Sequence, residues 1–156
     1  MSNSVATPIR DDYIEPLEDA IIDGLKMLSL GPTDTATTVI TTMQSFVDAL
    51  LASDSPVEDM TSINLGALWG HAVVQQYGWQ WLGIEWDDAP TEEPVICVVS
   101  PNNWYCVPPI LFVDRIIGRH NINHISGESE NTIAQLFEML GGIEDNTPSD
   151  QYHLLA

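Results

Sequence analysis

Positive charge is what this sequence has least of. Lys and Arg total 4 against 23 Asp and Glu, a formal net charge of −19. Charged residues nevertheless make up only 17% of the chain, below the ~25% of an average globular domain. The acidity therefore comes more from missing bases than from added acids. Such a surface repels phosphate backbones and anionic lipid, which argues against nucleic acid and membranes as partners. It favours a basic protein partner and fast, salt-sensitive association, although net charge serves plain solubility just as readily.

Long apolar runs are missing as well. No stretch approaches the ~18 residues of a membrane-spanning helix, and the polar segment from Met1 to Arg10 has no apolar signal-peptide core. A cytoplasmic location is the expectation on those grounds. The two cysteines, Cys97 and Cys106, are then expected to stay reduced. Their spacing is not that of a C-x-x-C motif, and they read as small buried hydrophobes.

Catalytic signatures are scarce too. There is no Gly-rich phosphate loop and no EF-hand spacing, and Ser100 lacks the glycines of a nucleophile elbow. With Arg10, Lys26, Arg115 and Arg119 as the whole cation supply, a nucleotide is a poor match, and no cofactor is expected. His120 and His124 form an H-x-x-x-H pattern, with Asp114 and Glu128 as further oxygen donors. Gly118 before them and Asn121-Ile122-Asn123 between them favour a solvated loop, so no metal site is expected. His71 with Cys97 would make a thiol–imidazole pair, but a core-edge histidine and a structural thiol account for both. Carboxylates occur in pairs, as in Asp87-Asp88 and Glu92-Glu93, whereas acid–base work needs two held in different environments. The chain is expected not to be an enzyme. A small hydrolase or metal-dependent enzyme using His71/Cys97 or His120/His124 is an alternative.

What is present is enough for a core. The 156 residues are 44% hydrophobic, and a single domain of that size buries roughly 70% of its unfolded surface. Residues 1–12 read as a flexible leader, 13–142 as one domain and 143–156 as a tail. Helical periodicity appears in five places. The first runs from about Pro16, at a first-turn position, to Leu30, with Leu17, Ile21, Leu25 and Leu28 on one face and Gly31-Pro32 as a stop. The second follows a cap at Thr33 or Asp34 and carries Val39, Ile40, Met43, Phe46, Val47, Leu50 and Leu51. The third spans about Ile63 to Tyr77, with Asn64 as a cap and Leu65, Leu68, Trp69, Ala72 and Val73 inward. Gly66 and Gly70, one turn apart, leave a smooth groove for close backbone packing. A fourth covers 109–118 with Ile110, Val113, Ile116 and Ile117. A fifth starts at Asn131 or Thr132, with Ile133, Leu136, Phe137 and Leu140 on one side, and Gly141-Gly142 ends it.

Between the third and fourth helices lie three strand-like runs, 79–86, 95–99 and 104–107, separated by turn-forming residues. The fold class read from this order is α+β: N-terminal helices packed on a small antiparallel three-stranded meander, with C-terminal helices. Pairing Ile84 with Ile96 and Cys97 with Cys106 puts Leu82, Ile84, Ile96, Val98, Tyr105 and Val107 on one face. Trp79, Trp81, Cys97, Val99, Trp104 and Cys106 fall on the other. Both faces are apolar. Either helices cover both, or one is an aromatic docking surface, and the Trp81 side is the candidate.

The segment from Leu65-Gly66-Ala67-Leu68-Trp69-Gly70 through Trp79-Gln80-Trp81 to Pro108 and Arg115 resembles small bacterial domains of uncharacterised function. These share a glycine-spaced helix, a Trp-bearing hairpin, then a proline and a helix carrying an arginine. That likeness covers about a third of the chain and implies no catalytic residues. In size and acidity the chain is similar to immunity proteins of bacterial toxin systems, which implies neutralisation of a toxin by direct binding. The expected function is a non-enzymatic acidic protein-binding domain. Trp81, Trp86 and Trp104 are its anchors, and Asp87, Asp88, Glu92 and Glu93 steer the encounter. The alternative is an adaptor or chaperone-like subunit of a larger assembly, with a homodimer through the sheet edge or the first two helices as one form of it.

Overall fold

The computed structural model describes residues 4–53, 59–86, 95–100, 105–118, 132–141 and 153–154. The fold is α+β. In chain order the elements are β1 (Ser4–Thr7), α1 (Asp11–Met27), α2 (Ala36–Ala52), α3 (Asp59–Tyr77), β2 (Gln80–Trp86), β3 (Val95–Val99), β4 (Tyr105–Val107), α4 (Pro109–Gly118), α5 (Thr132–Gly141) and β5 (His153–Leu154). The expected meander is β2-β3-β4. It is extended at one edge by β1, antiparallel to β2, and at the other by β5, parallel to β4. Both flanking strands come from segments read as leader and tail. They are too short and too polar to announce themselves, and the neighbouring strand defines them.

Helix α3 is the axis of the fold in one sense: every residue from Asn64 to Gly70 is buried, and a helix apolar all round belongs inside. It starts at Asp59, four residues before the expected boundary, so Asn64 is interior and not a cap. Its Nδ2 donates to Met27 Sδ at 3.7 Å. The two glycines do what their spacing foretells. A Cβ on Gly66 would stand 2.5 Å from Ile110 Cα, and one on Gly70 would stand 2.4 Å from the Trp81 ring. Gly66 thus brings α4 onto the helix backbone, and Gly70 makes room for Trp81.

Helix α5 is tied down by polar contacts the periodicity does not foretell. Trp69 Nε1 donates to Ile133 O at 3.1 Å, Tyr77 OH donates to Phe137 O at 2.8 Å, and the Ala134 N–H donates to Gln44 Oε1 at 2.9 Å. Gln44 in α2 therefore satisfies one of the orphan donors in the first turn of α5. Trp69 also packs on Phe112 with ring centroids 4.9 Å apart.

Two boundaries differ from expectation for local reasons. Helix α1 begins at Asp11, so Pro16 lies inside it and not in its first turn. Pro16 is exposed, where the carbonyl it leaves unpaired can reach water. The helix ends before Gly31: Ser29 takes the left-handed conformation at φ 58°, while Leu30 N bonds Leu25 O and Ser29 N bonds Lys26 O. This pattern is a Schellman cap. Asp34 does not cap α2, because its carboxylate accepts from Gly31 N at 2.7 Å, and Thr35 serves as the cap instead, accepting from Thr38 N.

The sheet register corrects the sequence reading. Ile84 pairs with Val95, not Ile96, and Trp81 pairs with Val98. A slip of one residue exchanges the faces of β2, and the connection 87–94 is too long to fix the register by itself. Trp81 consequently joins Val98 and Val107 against the helices. Leu82 and Ile84 join Cys97, Val99 and Cys106 in a separate cluster on the opposite face. In the β3–β4 hairpin, Val99 and not Cys97 pairs with Cys106.

Candidate functional site

An open cleft of about 730 Å³ runs along α1, against Pro8 and Ile9, the face of α3 at His71 and Val74, and Trp81 in β2. Its volume is of the size that small ligands or anchor side chains occupy. The walls are apolar, and the polar side chains are Glu18 and His71.

Helix α1 builds the cleft because its apolar stripe is wider than its core contact. Ala20, Gly24 and Leu25 are buried, and a Cβ on Gly24 would stand 2.6 Å from the Asn64 carbonyl oxygen, so this edge is pressed onto α3. Ile14 and Ile22, on the outward edge of the stripe, remain 42% and 49% exposed. Beside them run acids. Six of the 17 residues of α1 are acidic. Asp11, Glu15 and Glu18 continue to Ile22 along one helical row at i, i+4, i+7 and i+11. Arg10, at the N-cap, bonds Asp12 at 3.0 Å and sits over the Tyr13 ring.

Trp81 is half core and half cleft. Its ring rests on Gly70, and it packs against the main cluster while remaining partly exposed. His71, the next residue of α3, is half-buried and makes no hydrogen bond among the described residues. Burial lowers its pKa below the ordinary 6.5, because the charged ring is disfavoured away from water. A neutral imidazole offers the cleft one donor and one acceptor.

Of the residues singled out in the sequence, Trp81 lies in this cleft. Trp86 closes β2, paired with Ser4, five residues along the strand from Trp81. Asp87, Asp88, Glu92, Glu93 and Trp104 lie outside the described residues, as do His120, His124 and Glu128. His71 and Cys97 are not brought together. His71 lines the helix-side cleft with Trp81, and Cys97 belongs to the cluster on the other sheet face.

The cysteines are free and fully buried. Cys97 is hydrogen-bonded to Cys106, and that contact, together with burial, raises its pKa. Because Val99 takes the position opposite Cys106, Cys97 stands diagonal to it. Diagonal neighbours are ~7–8 Å apart, too far for a disulfide without backbone movement. The pair is a packed thiol contact, far from a nucleophile's thiolate. Among the described residues no group of three or more His, Cys, Asp and Glu is arranged to hold a metal ion, and no helix there is long and apolar enough to cross a membrane.

The sequence reading missed Ile14 and Ile22. The signal was available: both extend the α1 stripe beyond the width one core contact needs. The fold and cleft define an α+β domain with an acid-edged apolar groove. No family model matches the chain, and no curated protein or solved structure matches it.

Proposed function

We propose that this chain is a non-enzymatic acidic binding protein that docks a basic protein partner, in the manner of an immunity protein that neutralises a toxin by direct contact. The observation that carries this reading is the composition of α1, where exposed Ile14 and Ile22 stand in a field of Asp11, Asp12, Glu15, Glu18, Asp19 and Asp23. Apolar side chains supply contact energy when desolvated. The acids select the sign of the partner and speed its approach.

The test starts from a partner captured in the native host and continues with that partner purified. Its affinity is measured at low and high salt, for the natural chain and for a variant with Asp11→Lys, Glu15→Lys and Glu18→Lys. Affinity should fall with salt and fall at least tenfold in the variant, and co-expression of the chain should protect cells from the partner. An acidic partner, or one whose affinity ignores both salt and charge reversal, would sink the reading.

A further inference from the structure

We infer that the cleft along α1 is the anchor site for an amphipathic, cationic helix of the partner, whose bulky apolar side chains enter between α1 and Trp81. This inference rests on the binding function proposed above and adds the place and the chemistry of the contact.

Length points to a helix. The α1 wall runs from Ile14 to Leu25, which is about 16 Å at 1.5 Å per residue. That is about three helical turns, the span over which a docked helix presents anchors at i, i+4 and i+7. The cross-section agrees. Leu17, Ile21, Leu25, Val74 and Trp81 line the cleft, and Ile14 and Ile22 stand exposed along it. Anchors would thus be gripped from the side as well as from below.

Charge complementarity fixes the polar half of the occupant. Asp11, Glu15 and Glu18 follow the row beside the apolar stripe. A partner helix lying along the stripe therefore places its flanking Lys or Arg side chains within reach of carboxylates. An anionic amphiphile, such as a fatty acid, meets the same row and a net charge of −19, with a His71 whose lowered pKa leaves it neutral near pH 7. The site therefore repels the occupant that a greasy cleft would otherwise accept.

The experiment uses the full chain, isotopically labelled, titrated with three synthetic helical peptides of about four turns: Leu/Lys, with a leucine face and a lysine face; Leu/Glu, with glutamate in place of lysine; and Ser/Lys, with serine in place of leucine. The Leu/Lys peptide should bind and shift the amide signals of Ile14, Ile22 and His71 and the Trp81 indole. Ile14→Asp with Ile22→Asp should weaken binding at least tenfold while leaving the far-UV circular dichroism unchanged. Trp81→Phe, which keeps a ring on Gly70, should weaken it less. A Leu/Glu peptide should not bind. If a Ser/Lys peptide binds as well as Leu/Lys, or if Leu/Lys shifts residues elsewhere, the anchor site is wrong while the affinity for basic partners stands. If Leu/Glu binds as tightly as Leu/Lys, charge selection is wrong. If neither Leu/Lys nor Ser/Lys binds, both the anchor site and the basic-partner reading fall.

Discussion

Helices α1 and α3 pack against each other and are nearly equal in length, 17 and 19 residues, yet they are buried to opposite degrees. Leu65, Leu68, Trp69, Ala72 and Val73 of α3 are at most 1% exposed. Most of α1 is exposed, and its burial is confined to a narrow edge around Gly24. One helix holds the domain together, and the other presents chemistry to solvent. Substitutions in α3 should therefore act on stability, and those on the outer face of α1 on binding.

The sharpest break of that contrast is Trp69→Ala. Trp69 is fully buried, packs at a tilt against Phe112 and donates to Ile133 O. Truncation leaves a cavity and removes this tie to α5, at a cost of about 3–5 kcal/mol. The midpoint of urea unfolding should fall far enough for the variant to be substantially unfolded if the domain has the usual marginal stability. An unchanged midpoint would mean that α5 is not held where Trp69 ties it.

Gly66→Ala comes next. The added Cβ would stand 2.5 Å from Ile110 Cα and 2.9 Å from its nitrogen. Both are backbone atoms, so α4 must move. Overpacking of this kind costs about 1–3 kcal/mol, outweighing the better helix propensity of Ala, about 1 kcal/mol. Thermal unfolding of the variant should show a net loss; a gain would show that α3 and α4 are not in backbone contact.

That contact illustrates how much of the architecture was legible. Gly66 and Gly70 announced a close approach, and the apolar periods of α2, α4 and α5 gave the residues that are in fact buried, such as Val39, Met43, Val113, Ile116, Ile133 and Phe137. These signals are local, carried within a few turns of chain. The strand register was not local. Placing Trp81 on the helix side depends on the hollow at Gly70, which no pattern within β2 reports. The cleft was less legible still. Trp81 was singled out, but Ile14 and Ile22 look like core positions until the contact of Gly24 with Asn64 shows which edge of α1 faces inward. A surface is defined by what fails to cover it, and that is a tertiary fact.

At the end of α1, Ser29 tests whether the exposed helix can be strengthened without touching its surface. Its φ of 58° is one that a Cβ disfavours. Ser29→Gly keeps both bonds of the cap and removes the strain, so stability should rise by up to about 1 kcal/mol, read as a higher urea midpoint with an unchanged slope. The affinity for the Leu/Lys peptide should stay the same. A loss of stability would mean that the Ser29 side chain contributes a contact outweighing its strain.

The smallest effect belongs to His71, where α3 meets the cleft and the contrast between the helices breaks down. Burial holds the folded-state pKa of this imidazole below its ordinary 6.5. The unfolded chain then binds the proton more readily, so stability falls wherever protonation of the unfolded state outruns that of the fold. The contribution of His71 is complete above pH 6.5 and is lost progressively as the pH falls below it. Contributions common to two chains cancel in a difference. The informative quantity is therefore the difference between the natural chain and His71→Gln, which keeps a polar side chain and cannot charge. Urea midpoints measured from pH 7.5 down to about 5 should diverge, the natural chain losing more than the variant. Parallel curves would mean that the imidazole is protonated equally well in the fold. The cleft at His71 would then be wetter than its apolar lining implies, and a wet cleft would make a weaker anchor site.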